Sequence, residues 1–131
     1  MATKTIEIET HARIEAIDIT PKVKSAIREM GCEVGVCVVY VPHTTAGVFI
    51  NEHADPDVAR DILEKLDKLA PRNAYYHHSE GNADSHIKST LVGSSVVIPV
   101  EAHSLLLGTW QGIFFAEFDG PRKRRVIVSC V

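Results

Sequence analysis

The run Glu33-Val34-Gly35-Val36-Cys37-Val38-Val39-Tyr40-Val41 is nearly continuous in apolar, largely β-branched residues, and its reading decides the fold class. Such a run suits a central strand covered on both faces. Pro42-His43 interrupts it, and Gly47-Val48-Phe49-Ile50-Asn51 resumes extended structure. Upstream, Thr3 to Thr10 and Arg13 to Ile19 alternate polar and apolar residues as half-buried strands do, and the two are expected to form a hairpin. Between them and the central strand, Thr20-Pro21 reads as an N-cap with proline at the first helical position. The helix that follows, Lys22 to Met30, stops at Gly31.

Downstream, Asp55-Pro56 opens a longer amphipathic helix through Leu69, with Val58, Ile62, Leu66 and Leu69 at helical spacing and Pro71 beyond its end. Arg72 to Asp84 is polar and histidine-rich and reads as a loop; Ser85 then caps a short helix, His86 to Leu91, that ends near Gly93. Strands follow at Ser95 to Val100, around Leu105 to Phe118 with a break near Gly108, and at Arg124 to Cys130. Turn residues such as Asp119-Gly120-Pro121 suit antiparallel or mixed pairing rather than repeated βαβ units. The expectation is an α+β domain over residues 1–131, with packed mixed or antiparallel sheets, two main helices and one short one.

The 131 residues are 45% hydrophobic and 24% charged, ordinary for a globular domain with a real core. A formal net charge of -3 gives no general attraction to nucleic acid or anionic membrane. There is no start resembling a signal peptide and no apolar run near the ~18 residues of a membrane span, so the expected location is the cytoplasm. Cys32, Cys37 and Cys130 form no C-x-x-C pair, and a bond between Cys32 and Cys37 would join opposite faces of a strand; buried thiols are expected.

Seven histidines invite a chemical reading. His43 follows the central run, His77 and His78 lie in the long loop, and His86 opens the helix after it, so separated segments present imidazoles at the ends of regular elements. Neutral imidazole is the commonest transition-metal ligand, and three such ligands leave one position for water or substrate. Glu52 or Asp84 could then act as a general base or orient a ligand. Histidines at strand ends are also often plain hydrogen-bonded groups, and no H-x-x-x-H spacing occurs. Asp55 has a sufficient role as a helix cap. In Gly108-Thr109-Trp110-Gln111-Gly112, two glycines around the only tryptophan imply a tight backbone. Either Trp110 walls an aromatic ligand whose polar edge Gln111 reads, or Trp110 fills the core and Gln111 satisfies backbone groups. Among Arg122-Lys123-Arg124-Arg125, one or two side chains could hold a phosphate.

His43-Thr44-Thr45, Asn51-Glu52, Asp55-Pro56, Gly81-Asn82-Ala83-Asp84-Ser85-His86-Ile87-Lys88, Gly108-Thr109-Trp110-Gln111 and Asp119-Gly120-Pro121-Arg122 occur in the order and approximate spacing of YjbQ-type proteins, which the chain resembles over almost its whole length. The resemblance implies a homotrimer with a weak thiamine-phosphate synthase activity, joining a pyrimidine pyrophosphate to a thiazole phosphate. It places His43, His77 (through Tyr75, in a Tyr-x-His pattern) and His86 at the family's recurrent histidines, as ligands of a divalent ion, zinc or magnesium. His78 stands where an aspartate is usual. For the transferase, Glu52, Asp55 and His86 are the expected catalytic groups, and Thr44, Asn51, Lys88, Thr109, Trp110, Gln111 and Arg122 the expected substrate contacts. A metal-dependent hydrolase or lyase and a non-catalytic ligand-binding trimer are the competing expectations.

Overall fold

The computed structural model describes residues 2–131. In chain order the elements are β1 (Ala2–Glu9), β2 (Glu15–Asp18), α1 (Thr20–Glu29), β3 (Gly35–Tyr40), β4 (Ala46–Glu52), α2 (Pro56–Leu69), α3 (Ala83–Val92), β5 (Ser95–Glu101), β6 (Ser104–Leu105), β7 (Gln111–Glu117) and β8 (Lys123–Cys130). They form a five-stranded sheet, β1-β8-β3-β5-β6, and a three-stranded sheet, β2-β7-β4. Every pairing is antiparallel. Alternation sends Cys37 and Val39 of β3, Ile98 and Val100 of β5, and Val126 and Val128 of β8 into one core with Val48, Ile113 and Phe115 of the smaller sheet and Val23 and Ile27 of α1. No described helix is long and apolar enough to cross a membrane.

The expected hairpin does not form. β1 pairs with β8 and β2 with β7, so the two N-terminal strands enter different sheets. Alternation specifies which face of a strand is buried but not whose edge it shares. The central run is also covered on one face only. Cys37 and Val39 are buried, whereas Val36 and Tyr40 are 37% and 45% exposed. Thr20 is no cap. Its hydroxyl donates to Asp18 Oδ1 at 2.5 Å and accepts the Ile113 N–H at 2.8 Å, tying the start of α1 to both β2 and β7.

Asp55 caps α2 as read, accepting the Asp57 N–H at 2.9 Å. The helix buries no residue fully, because it lies against β2, β4 and α3 rather than over the core. The third helix is no shorter than the first, at 10 residues each. Ser85 lies inside it and donates to the Phe118 carbonyl at 2.6 Å instead of capping.

The three cysteines are not all thiols. Cys32 and Cys130 form a disulfide across a sequence separation of 98, with Cα atoms 6.0 Å apart. Cys37 is free and buried, and burial pushes its thiol up to about 11. Local spacing tested only the Cys32–Cys37 pair; the partner arrives on β8, which sheet pairing lays beside β3.

A buried ion cluster fixes α3. Lys88 Nζ donates to Asp84 Oδ2 at 2.6 Å and to Asp67 Oδ1 at 2.8 Å, and Arg13 grips the same Asp84 carboxylate at 3.0 and 3.3 Å. Lys88 and Asp84 are fully buried. Removing one partner of such a cluster strands a charge and costs about 3–5 kcal/mol. Burial alone would raise the Asp84 carboxyl, but hydrogen bonds from Arg13 and Lys88 outweigh it and hold it below its ordinary 3.8. A depressed folded-state value adds stability above the ordinary value, and that stability is lost as pH falls through the depressed one. Urea denaturation of wild type and Asp84→Asn from pH 7 to pH 2 should therefore show a large gap at pH 7 that closes below about pH 4. A gap constant with pH would contradict this role.

Candidate functional site

The turn Pro42-His43-Thr44-Thr45 carries the chain from β3 in one sheet to β4 in the other, and it rests on a second buried ion pair. Glu117 ends β7 with no exposed surface, and Arg124, near the start of β8, is 5% exposed. Arg124 Nε donates to Glu117 Oε1 at 2.8 Å, and its Nη2 reaches Glu117 Oε2. Nη2 also donates to Thr45 Oγ1 at 2.8 Å and to the Thr45 carbonyl at 3.2 Å. Thr10 Oγ1 donates to Oε1 at 2.8 Å, and the Asp119 N–H to Oε2 at 3.0 Å. Burial alone would raise the Glu117 carboxyl, but the Arg124 guanidinium and these donors hold it below its ordinary value. Gly120 is required beside it: a Cβ there would lie 2.3 Å from the Ala12 carbonyl oxygen and 2.8 Å from Glu117 Cγ.

His43 is oriented by the backbone of β8. Its Nε2 accepts the Arg125 N–H at 3.1 Å, so the neutral ring carries its proton on Nδ1. Burial, and then the charge of Arg124, lower its pKa, which keeps the ring neutral at pH 7. His43 and Thr44 form the ridge between two adjoining clefts. One, of about 450 Å³, is completed by His86, Ser89, Thr90 and Ser94. The other, of about 510 Å³, is completed by Tyr40, Thr45, Arg122 and Arg124. Behind His86, the ring of His78 lies edge-on at 5.3 Å. His78 Nε2 donates to Asn82 Oδ1 at 3.0 Å, Asn82 donates to Asp119 Oδ2 at 2.9 Å, and Arg122 donates to the same oxygen at 3.2 Å. A polar chain thus links the histidine side of the ridge to its arginine side.

The structure therefore brings together His43, Thr44, His86 and Arg122 of the residues singled out by sequence. It does not bring His77 to them: that ring is exposed and packs edge-on to Tyr75, and His78 is the loop histidine against His86. Among the described residues, no group of three or more His, Cys, Asp or Glu side chains is placed to hold a metal ion. The lone pair of His43 Nε2 is already engaged. The described residues of this chain do not fit a three-histidine ion. Lys88, expected to reach substrate, is consumed inside by Asp84 and Asp67.

Asn51, Glu52, Asp55, Thr109, Trp110 and Gln111 lie at the opposite end of the three-stranded sheet. The length of β4 separates them from His43, roughly 20 Å at strand rise. Trp110 is 62% exposed and does not fill the core. Gln111 closes its own turn, with Oε1 accepting the Gly108 N–H at 2.8 Å. Sequence reading missed Glu117 and Thr10 altogether and did not separate Arg124 from its cationic neighbours. The signals were there: Glu117 is a lone carboxylate in the apolar run Ile113 to Phe118, and strand alternation turns Arg124 inward while Lys123 and Arg125 face out.

The family model described as UPF0047 protein YjbQ-like matches residues 4–131. The UPF0047 protein of Methanocaldococcus jannaschii is 54% identical over 95% of this chain and 91% of its own. UPF0047 protein YugU of Bacillus subtilis is 50% identical over 96% of each. Among solved structures, an uncharacterized YjbQ/UPF0047 family protein from Clostridium acetobutylicum superposes with a TM-score of 0.95 at 52% identity, covering 98% of this chain and 99% of that one. A hypothetical protein from Aeropyrum pernix gives a TM-score of 0.95 at 41% identity, covering 100% and 98%. With the sheet order, the His43 turn and the Asp119-Gly120-Pro121-Arg122 corner in place, the chain belongs to the YjbQ-like UPF0047 family.

Proposed function

We propose that the chain is a small-molecule enzyme acting on a phosphorylated substrate at the paired clefts around His43, with chemistry of the secondary thiamine-phosphate synthase kind. The observation that supports this most is the shared ridge: one neutral imidazole and one hydroxyl stand between a histidine-lined cleft and an arginine-lined one. In that reaction the C–O bond to pyrophosphate breaks, the leaving group takes the electron pair, and the thiazole nitrogen forms the new C–N bond. The demand is for charge neutralisation and orientation more than for acid–base work. Arg122, half exposed and anchored by Asp119, would meet the phosphate. Thr44 supplies an exposed hydroxyl donor, the Thr90 hydroxyl, whose proton goes to the His86 carbonyl, is left as an acceptor, and the Nδ1–H of His43 would face developing negative charge. His86 is the candidate for protonating the leaving oxygen.

A divalent ion, zinc or magnesium, would have to arrive with the substrate phosphates or take ligands from a second copy. When bound it would neutralise pyrophosphate charge. Trp110, Thr109, Asn51, Glu52 and Asp55 join this reading only through a neighbouring copy. In an assay supplying both phosphorylated substrates, His43→Ala and Arg122→Ala should each lower kcat/KM by about 100-fold or more. Purified wild type that forms no thiamine phosphate at saturating substrate would remove the transferase. Ligand-induced thermal stabilisation without turnover would then favour a binding module.

The outer face of the five-stranded sheet supports assembly into the homotrimer. Register places Val36, Val38, Tyr40, Val97 and Ile127 on that face, opposite the buried Cys37, Val39, Ile98, Val126 and Val128. Val97 is 58% exposed. A contiguous apolar sheet face of this kind is what a second copy covers. Light scattering should give about three times the 14.4 kDa chain mass for wild type and a smaller species for Val97→Glu with native circular dichroism. A monomeric wild type would contradict the assembly.

A further inference from the structure

We infer that the cleft between α2 and the outer face of the three-stranded sheet is a second binding site, for a small organic amine carrying a flat apolar body. It runs along β2 from Glu15, which pairs with Glu117, to Asp18 and His53 at the end away from His43, and of the residues in the reading above it shares only Asp55. At about 630 Å³ it is larger than either cleft at the His43 ridge and within the usual range for small-molecule sites.

Its polar centre is built, not incidental. The His53 ring lies directly on Gly112, where a Cβ would come within 2.3 Å of Nδ1, so the strand leaves out a side chain where this imidazole sits. His53 Nδ1 bonds Asp18 Oδ2 at 2.8 Å. The other carboxylate oxygen is held by the Thr20 N–H at 3.0 Å and the Thr20 hydroxyl at 2.5 Å. These donors, with His53, outweigh the effect of burial and keep the Asp18 carboxyl below its ordinary value. An ionised Asp18 can only accept, so Nδ1 donates and the neutral ring has Nε2 left as an acceptor. Asp18 and His53 therefore form an oriented dyad on the wall of the cleft.

The surroundings select the ligand. The floor is Phe114, stacked on Phe49 with ring centroids 5.1 Å apart, and Ala16, Ala59 and Leu63 close the apolar walls. The rim carries Glu15, Asp55 and Glu64, and Asp67 paired with the buried Lys88, while the one cation lining the cleft is Arg60, whose guanidinium lies 3.7 Å from Asp57. Such a rim repels phosphates and carboxylates. It favours a cation whose N–H groups donate to Nε2 and to carboxylates while its apolar body covers Phe114. Donor-rich and positively charged, a primary amine on an aromatic frame meets every one of these demands.

The test is a titration of the full-length ¹⁵N-labelled protein at low salt with tryptamine and benzylamine, and with indole-3-propionate as the anionic counterpart. Saturable shifts centred on the amides of Ala16, Ala59 and Phe114 are expected with the amines, with the acid at least about 10-fold weaker. His53→Ala and the exposed-rim variant Glu64→Gln should each weaken amine binding several-fold, whereas His86→Ala should leave it unchanged. Glu64→Gln removes only a surface charge, so its effect is separable from any loss of folding in the dyad variants. The inference is overturned by equal affinity for the acid, by shifts that map elsewhere, by His53→Ala binding like wild type, or by no saturation with either amine up to about 10 mM.

Discussion

The arrangement of the His43 end depends on one buried ion pair, Arg124 with Glu117. It joins β8 of the larger sheet to β7 of the smaller, and through Thr45 and Thr10 it takes in the start of β4 and the segment after β1. Charges with so little exposure survive in a core only when their hydrogen-bonding capacity is met, and here both carboxylate oxygens have two donors each. Because the pair is self-neutralising, Arg124 shapes the site without being free to bind in it. Its influence reaches the ligand side through the turn it holds and through its charge, which acts with burial to keep the His43 ring neutral.

This organisation gives the three-stranded sheet two ends of opposite character. At one, a neutral imidazole, hydroxyls and the anchored Arg122 form adjoining clefts. At the other, the Asp18–His53 dyad sits among carboxylates over an aromatic floor. The rigid element between them is β4 paired to β7, whose register from Ala46–Glu117 to Glu52–Gln111 fixes the spacing of the two ends. The buried Lys88–Asp84–Arg13 cluster then locks α3, and with it His86, against this frame.

What could be read from the sequence was what short-range chemistry dictates. Asp55-Pro56 announces a capped helix because cap and first turn are adjacent, and Gly31, with φ of 68°, ends α1 because few other residues tolerate that backbone. The alternating runs located nearly every strand. What sequence order could not supply was partnership at a distance: β1 with β8, Cys32 with Cys130, Lys88 with Asp84 and Asp67. The same limit scattered the candidate site. His43, Thr44, His86 and Arg122 converge because a helix and two sheet ends meet there, whereas Trp110 and Glu52 belong to the far end of β4. Residues with a strong local look, Trp110 between glycines above all, drew attention away from Glu117, whose isolation in an apolar run was the better clue.

The claim on which the site depends is that the β8 backbone and Arg124 hold His43 as a neutral Nδ1–H tautomer, presenting a donor to the clefts. Two-dimensional long-range ¹H–¹⁵N correlation of the histidine rings at pH 7 tests this directly. The account predicts a protonated Nδ1 and an unprotonated Nε2 for His43, a pattern lost on heating through unfolding. A ring protonated on Nε2 alone, or a doubly protonated imidazolium at that pH, would contradict it.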